Sequence, residues 1–284
     1  MAQEDVFTRI NREYYQLTSA EKKIADYMML HQQESQILSI SEMAAETGVA
    51  EATVSRFCRR LGYEGYNAFK LAVAGSRSGH TASNPLSGEV LPEDTVLAMC
   101  QKICSDHVEA ITQTLDLVRP DAVTAAADLF LSAEKVLCMG QGGSMILAEE
   151  AAHLFSTVLP NFYPVQGSHF QVIRAALLSP SDVVFYFSYS GSTRDMVDVL
   201  KTARARGAHS VLITRFPNST GASYADIVLE CGSRETPLQL GSIAARMAQL
   251  YLVDLLFSEV CRRNMAEARS RRKQVADALA DKHM

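Results

Sequence analysis

The sequence of 284 residues lacks features that define several common classes of protein. It has no uninterrupted apolar run of the ~18 residues that span a membrane, and its polar, acidic start lacks a signal-peptide core. We therefore expect a soluble cytoplasmic protein with no membrane partner. None of the six cysteines forms a CxxC pair, so we predict no metal site and small buried cysteines in a reducing compartment.

The chain also lacks an overall excess of positive charge. Its net charge of -5 argues against a protein that coats nucleic acid along its whole surface. Basic residues are nevertheless concentrated within residues 52–77, where the single acid is Glu64 and the bases are Arg56, Arg59, Arg60, Lys70 and Arg77. A second basic cluster, within residues 262–273, lies on a predicted terminal helix, and we interpret it as a solvated face.

The pattern of the chain changes at a segment rich in Ser, Gly, Pro and Asn. We predict a linker at residues 78–93 between a helical domain at 1–77 and a second domain at 94–284. In the first domain, Thr18 and Glu21 have the spacing of a capping box. In the second domain, short apolar runs alternate with helical segments, which indicates βαβ units and a mainly parallel sheet.

The segment at residues 40–70 has the pattern of two helices packed across a tight turn. Gly48 fits the positive φ of that turn, and the apolar positions are Met43, Ala44, Val49, Val54, Phe57 and Leu61. Hydroxyls and arginines on one exposed face suit base edges and phosphates, so the predicted DNA-binding residues are Glu51, Thr53, Ser55, Arg56, Arg59 and Arg60. The alternative is a generic helical hairpin with a solvated basic face.

This segment closely resembles the helix-turn-helix domain of the RpiR family of sugar-metabolism regulators. The resemblance rests on TSAEKKIADYM, ISEMAAETGVAEATVSRFCRRLGY and GYNAFKLAV. It implies operator DNA as a partner. One departure is Ala50, before the recognition helix, where the family usually has a serine; an alanine there loses a capping hydroxyl, which Glu51 partly offsets through the helix dipole.

Two turns rich in glycine and hydroxyls each follow a predicted strand and open a helix. The first is Gly140-Gln141-Gly142-Gly143-Ser144 and the second is Ser188-Tyr189-Ser190-Gly191-Ser192-Thr193. Ligands bind at the carboxyl ends of parallel strands, and helix N-termini favour anions. Met145 replaces the third glycine of a dinucleotide fingerprint, and no GxxxxGK[ST] occurs. The alternative is a pair of ordinary strand-to-helix turns.

The two turns resemble those of the SIS (sugar isomerase) domain over roughly residues 120–260, above all in SYSGST. The resemblance implies that Ser144, Ser188, Ser190 and Thr193 contact a sugar phosphate. It completes the predicted fold class, an all-α helix-turn-helix domain plus an α/β SIS domain with a mainly parallel sheet flanked by helices. The other predicted ligand-binding residues are Gly142, Gly143, His169, Tyr189, Gly191, Ser192 and Glu235.

SIS domains also occur in isomerases, which need a base beside the sugar carbonyl. The candidates are Glu149, Glu150, His169 and Glu235, and each also fits a helix face, a cap or a polar loop. We predict a regulator without catalysis or cofactor, whose operator binding responds to a phosphorylated sugar or amino sugar. The alternatives are a phosphosugar isomerase and a DNA-binding architectural protein. We expect a homodimer or homotetramer, assembled through the apolar helices at 96–115 and 243–257.

Overall fold

The computed structural model describes residues 5–32, 35, 38–76, 90–232 and 242–280. These residues divide into two compact units, one ending at Asp106 and one beginning at His107. Most of the predicted linker, and Glu235, lie outside the described residues. Within the described residues, no helix is long and apolar enough to cross a membrane.

The N-terminal unit is helical throughout its regular structure, as predicted. Its helices are α1 (Val6–Glu13), α2 (Ser19–Leu30), α3 (Ile40–Thr47), α4 (Glu51–Arg60) and α5 (Tyr66–Ser76). Their apolar faces form one core, in which Ile24, Met43, Val54, Phe57 and Phe69 are almost completely buried. α3 and α4 therefore pack across the turn that the sequence predicts.

Side-chain caps fix where two of these helices begin. Thr18 and Glu21 form the predicted capping box at the start of α2. A second capping box, between Ser39 and Glu42, starts α3 at Ile40. Hydrogen bonds from Ser39, first of all from its backbone N–H, lower the pKa of the Glu42 carboxyl. Gly48 ends α3 in the left-handed conformation, with φ of 63°.

The second unit is built on a five-stranded sheet. Its strands are β1 (Lys135–Gly140), β2 (Phe162–Pro164), β3 (Asp182–Phe187), β4 (His209–Thr214) and β5 (Ile227–Glu230). The strand order is β2-β1-β3-β4-β5, and every pair is parallel. The prediction of a mainly parallel α/β domain is confirmed.

Helices cover both faces of this sheet. They are α6 (Val96–Leu117), which begins in the first unit, α7 (Pro120–Ser132), α8 (Gly143–Ser156), α9 (Ser168–Ala176), α10 (Arg194–Ala205), α11 (Ile243–Arg263) and α12 (Met265–Leu279). The core with α7, α8 and α11 includes the stacked rings of Phe155 and Phe162. The core on the opposite face, with α9 and α10, includes Leu137, Tyr186 and Leu200.

The two apolar helices with a predicted role in assembly differ in how much they expose. α11 buries Leu252, Val253, Leu256 and Phe257 within its own chain. α6 instead leaves apolar side chains exposed, among them Val108 and Leu115. α6 also carries Cys100 and Cys104, which are exposed. The expectation of buried cysteines is therefore wrong for these two, because the helix face on which they lie is not covered by the described residues.

The second basic cluster is largely paired within the chain. Arg262 and Arg263 both bond to Glu259, and these bonds lower the pKa of its carboxyl to about 2. Arg271 bonds to Glu267 and donates to the Val158 carbonyl at 2.9 Å. These contacts support the interpretation of the cluster as a solvated face with local ion pairs.

The first prediction concerns the start of α4. Ala50 is its N-cap and makes no side-chain capping bond, although its φ and ψ of -76° and 148° suit a serine. Ala50→Ser should stabilise α4 by about 1 kcal/mol. Amide hydrogen exchange of the full-length protein should then slow in the first turn of α4.

Ala52→Ser is the matched control, because Ala52 is exposed and lies inside the same helix. A serine there has lower helix propensity than alanine and caps nothing, so exchange should stay the same or become faster. Equal slowing by both substitutions would contradict a capping effect.

Candidate functional site

The predicted recognition helix α4 is held against α3 by packing and by one hydrogen bond across the turn. Ser41 on α3 donates from its Oγ to Oε1 of Glu51 at 2.5 Å. Val54, Phe57 and Cys58 face the core, and burial raises the pKa of the Cys58 thiol to about 12. The opposite face of α4 is thus left to polar residues.

The predicted DNA-binding side chains on α4 divide into two groups. Glu51, Arg56 and Arg59 are exposed, and Thr53 and Ser55 are half-buried beside them. Arg56 lies along the helix, where its Nη2 donates to the Thr53 hydroxyl at 3.2 Å. These residues form a polar surface on one helix, with two arginines at its edge.

Arg60 forms the other group. Its Nη1 lies 3.2 Å from Oε2 of Glu21, and its Nη2 donates to the carbonyl of Gln16 at 2.5 Å. Glu21 is buried, at 7% exposure, and it also accepts from the backbone N–H of Thr18. Because a buried carboxylate needs a partner, Arg60 stabilises the junction of α2 and α4, a structural role that sequence reasoning missed.

The two predicted ligand loops lie side by side at the carboxyl edge of the sheet. β1 and β3 are neighbours, and their last residues, Gly140 and Phe187, are paired in register. The chain leaves β1 for α8 on one face of the sheet, and it leaves β3 for α10 on the other. This is the topological switch point of a parallel sheet, where a crevice opens between the two loops.

In the first loop, one glycine is required by a close contact and another by its backbone conformation. A Cβ at Gly140 would lie 2.5 Å from the backbone oxygen of Ser144, so only glycine permits this tight turn into α8. Gly142 has φ of 54° and ψ of -126°, a conformation that side chains disfavour. The Ser144 and Met145 N–H groups donate to the carbonyls of Gln141 and Gly142 at 3.0 and 3.1 Å, so what the loop brings to the crevice is chiefly the positive end of the α8 dipole.

In the second loop, Gly191 lies against the loop that follows β4. Its φ is +58°, and a Cβ there would lie 2.0 Å from Oγ of Ser219. The carbonyl of Tyr189 accepts from Thr214 Oγ1 at 3.1 Å, and the Tyr189 ring packs edge-on against Phe216. Buried groups therefore pack against this loop. Ser192, within the loop, is half-buried.

The hydroxyls of the second loop are arranged as donors. The Gly191 N–H donates to Ser188 Oγ at 3.2 Å, and the Ser192 N–H donates to Ser190 Oγ at 3.3 Å. A hydroxyl that accepts such a bond keeps its own hydrogen for another partner. Thr193 is the N-cap of α10 but makes no side-chain capping bond. Ser144, in the first turn of α8, is half-buried at the neighbouring loop.

Arg246 is a residue of this region that sequence reasoning missed. It lies in the first turn of α11, and a Cβ at Gly143 would be 2.9 Å from its Nη2. The guanidinium therefore lies directly against the first loop, where it adds a positive charge at the N-terminus of α8. No local motif marks Arg246, because α11 reaches the loop only through the tertiary fold.

The candidate bases of an isomerase are spread around the crevice. His169 is exposed in the first turn of α9, and Glu150 is exposed on α8. The Glu149 carboxylate accepts a hydrogen bond from the Gln166 amide. Glu235 lies outside the described residues.

Comparisons with known proteins match both units. A family model described as the helix-turn-helix domain of the rpiR family matches residues 4–80, and a SIS domain model matches residues 129–259. An HTH-type transcriptional regulator of Caldanaerobacter subterraneus is 33% identical over 253 residues, with 89% of each chain covered. Another from Thermotoga maritima is 31% identical, with 92% of this chain and 93% of the relative covered.

Two solved structures share the fold. The sugar isomerase domain of an RpiR transcription factor from Sphaerobacter thermophilus is 25% identical and covers 62% of this chain and 96% of its own, with a TM-score of 0.56. The NanR protein of Vibrio vulnificus, complexed with ManNAc-6P, is 23% identical to this chain. The match covers 98% of this chain and 100% of NanR, with a TM-score of 0.64.

The local geometry and these relatives agree on both units of the chain. In the first unit, the second helix of a helix-turn-helix exposes a polar face, and a parallel sheet with two loops rich in glycine and hydroxyls forms the second unit. The chain therefore belongs to the RpiR family of HTH-type transcription regulators, with an N-terminal DNA-binding domain and a C-terminal SIS domain.

Proposed function

We propose that this regulator binds a phosphorylated sugar or amino sugar at the β1/β3 switch point, and that the bound sugar changes its affinity for operator DNA. The observation that carries the proposal is the pair of adjacent loops at the carboxyl edge of the sheet, each of which contains hydroxyl side chains and leads into the N-terminus of a helix. Such a site favours a phosphate dianion. ManNAc-6P bound to NanR supports this class of ligand.

The phosphate contacts come from both loops in this proposal. Ser144, Ser188, Ser190 and Thr193 donate hydroxyls, and Arg246 supplies a full positive charge beside Gly143. Gly142 and Gly191 keep the backbone close to the ligand, and His169 contacts the sugar. The protein acts in the cytoplasm, where its operator DNA is.

We further propose that the sugar is sensed without being converted. The relatives cited above are named as transcriptional regulators, and the fused DNA-binding domain gives ligand binding a readout. The competing function is isomerisation, favoured only by the presence of carboxylates and His169 near the crevice. Turnover of a sugar phosphate that Glu149→Gln, Glu235→Gln or His169→Ala abolishes would establish it instead.

The second prediction tests the ligand site. Ser190→Ala removes a donor to a charged ligand, which costs about 1–3 kcal/mol, so affinity for a sugar phosphate should fall ~5- to 150-fold. Titration calorimetry should measure this after a thermal-shift screen with ManNAc-6P, other sugar phosphates and the matching free sugars. A ligand at ~100 times its dissociation constant stabilises the fold by ~2.7 kcal/mol.

Ser132→Ala is the control, because the Ser132 hydroxyl bonds within α7, which ends just before β1 begins at the opposite edge of the sheet. Its affinity for ligand should equal that of the wild type. By linkage, operator DNA and ligand must change each other's affinity by the same factor. Ligand affinity that is identical with and without saturating operator would refute sensing.

The third prediction separates two adjacent arginines. Arg59→Ala should weaken binding to all DNA sequences and reduce the slope of log affinity against log salt by about one, as for a lost phosphate contact. Arg60→Ala should instead lower the unfolding temperature, because it leaves Glu21 buried without its cation. Salt-dependent binding and thermal unfolding of the full-length variants measure the two effects.

Similar losses of DNA affinity in both variants, with unchanged unfolding temperatures, would contradict this division.

Operators should be inverted repeats, because a symmetric dimer presents two recognition helices related by a two-fold axis.

The fourth prediction concerns self-association, for which we propose α6 as the interface. Val108 and Leu115 are each 57% exposed on this helix, which is more than a buried core helix leaves open. Val108→Asp with Leu115→Asp should shift the full-length protein towards monomer in sedimentation velocity at micromolar concentration.

Leu177→Asp is the matched control, since Leu177 is 74% exposed at the end of α9. It should leave the sedimentation coefficient unchanged. If Leu177→Asp dissociates the protein and the α6 double variant does not, the interface lies at α9 and not at α6.

A further inference from the structure

A glutamine that no sequence motif marks lies at the centre of the switch point. Gln171 is in α9 and is completely buried, at 0% exposure. Its side-chain Nε2 donates to the carbonyl of Gly140 at 3.0 Å and to the carbonyl of Val165 at 2.8 Å. Both of its N–H groups are thus bonded to the backbone at the ends of β1 and β2.

The carbonyl oxygen of Gln171 is also fully used. Oε1 accepts from Nε2 of Gln141 at 2.8 Å and from the hydroxyl of Tyr186 at 3.2 Å. A side-chain amide has two donors and two acceptor positions, so all four are satisfied and the orientation of the amide is fixed. Burial raises the pKa of Tyr186 to about 12, and the protonated hydroxyl donates to Gln171.

These four bonds connect Gln171 to the chain segments whose relative positions set the conformation of the first loop. Gly140 ends β1, Gln141 opens the loop, and Tyr186 is the penultimate residue of β3. Without Gln171, the Gly140 and Val165 carbonyls and the Gln141 amide would lose a partner within a buried region. The loop would then sample other conformations, because unmade buried hydrogen bonds are costly and drive local rearrangement.

We propose that Gln171 is the positioning residue of the ligand site: its amide holds the first loop so that the N-terminus of α8 faces the crevice, and it ties that loop to α9, which carries His169. The inference rests on the proposed function of the two loops. Gln171 itself makes no contact with the ligand. It acts through Gln141 and Gly140.

The test compares two buried glutamines changed to methionine, which is apolar and similar in length. Gln171→Met should raise amide hydrogen exchange in residues 140–145 and leave residues 188–193 unchanged. Gln249→Met is the control, since Gln249 is 2% exposed on α11 and its Nε2 donates only along its own helix, to Ala245 at 3.3 Å. It should leave exchange in both loops unchanged.

A double-mutant cycle with Gln141→Met separates positioning from general destabilisation. If Gln171 acts through Gln141, the two substitutions should change exchange in residues 140–145 by much less together than the sum of their separate effects. Additive effects, or an unchanged loop in Gln171→Met, would overturn the inference. All variants are measured as full-length protein.

Ligand binding supplies the second readout, with ManNAc-6P and inorganic phosphate as the probes. For a probe that the wild type binds, Gln171→Met should lower affinity about tenfold or more, and Gln249→Met should not. Unchanged affinity in Gln171→Met would also overturn the inference. If the wild type binds no sugar phosphate, the proposed function fails, whereas exchange in residues 140–145 still decides whether Gln171 positions the loop.

Discussion

The arrangement of the second unit depends on one constraint: the strands are added in one direction from β1 to β2 and in the opposite direction from β3 to β5. Right-handed crossovers place α8 on one face of the sheet and α10 on the other, so the two loops that open these helices diverge at the carboxyl edge. The crevice between them is a consequence of strand order alone. Side chains then determine what the crevice binds, and here they are hydroxyls and an arginine.

Close packing at this edge explains why the loop motifs contain glycine at certain positions. Gly140 and Gly191 are required by contacts below 3 Å that any Cβ would make, with the backbone of Ser144 in one case and the side chain of Ser219 in the other. The same packing brings buried polar groups behind the loops. Gln171 supports the first loop, and Thr214 supports the second through the Tyr189 carbonyl. A rigid backing of this kind keeps donors preorganised.

The DNA-binding unit shows a similar division between exposed and supporting residues. Arg59 and Arg60 are both exposed on α4, but Arg60 turns back to Glu21 and to the carbonyl of Gln16. Glu21 belongs to the capping box of α2, with Thr18 as the N-cap, and is also the ion-pair partner of Arg60. One buried carboxylate thus fixes both the start of α2 and the position of the recognition helix.

The sequence by itself determined several features that depend on neighbours within about one helical turn. The capping box of Thr18 and Glu21, the turn at Gly48, the alternation of strands and helices and the two loops rich in glycine and hydroxyls all follow from short-range spacing and periodicity. The same spacing patterns carry the family resemblance, so the two domains and their general function were also predictable from the sequence.

Only the tertiary structure decided which distant residues meet. Arg60 and Glu21 are 39 residues apart, and Gln171 and Gly140 are 31 apart, so no local pattern distinguishes Arg60 from Arg59 or marks Gln171 as special. Arg246 comes to the first loop on a helix from near the end of the chain. The exposure of Cys100 and Cys104 was likewise undetermined, because an apolar helical face looks the same in sequence whether its own chain covers it or leaves it open.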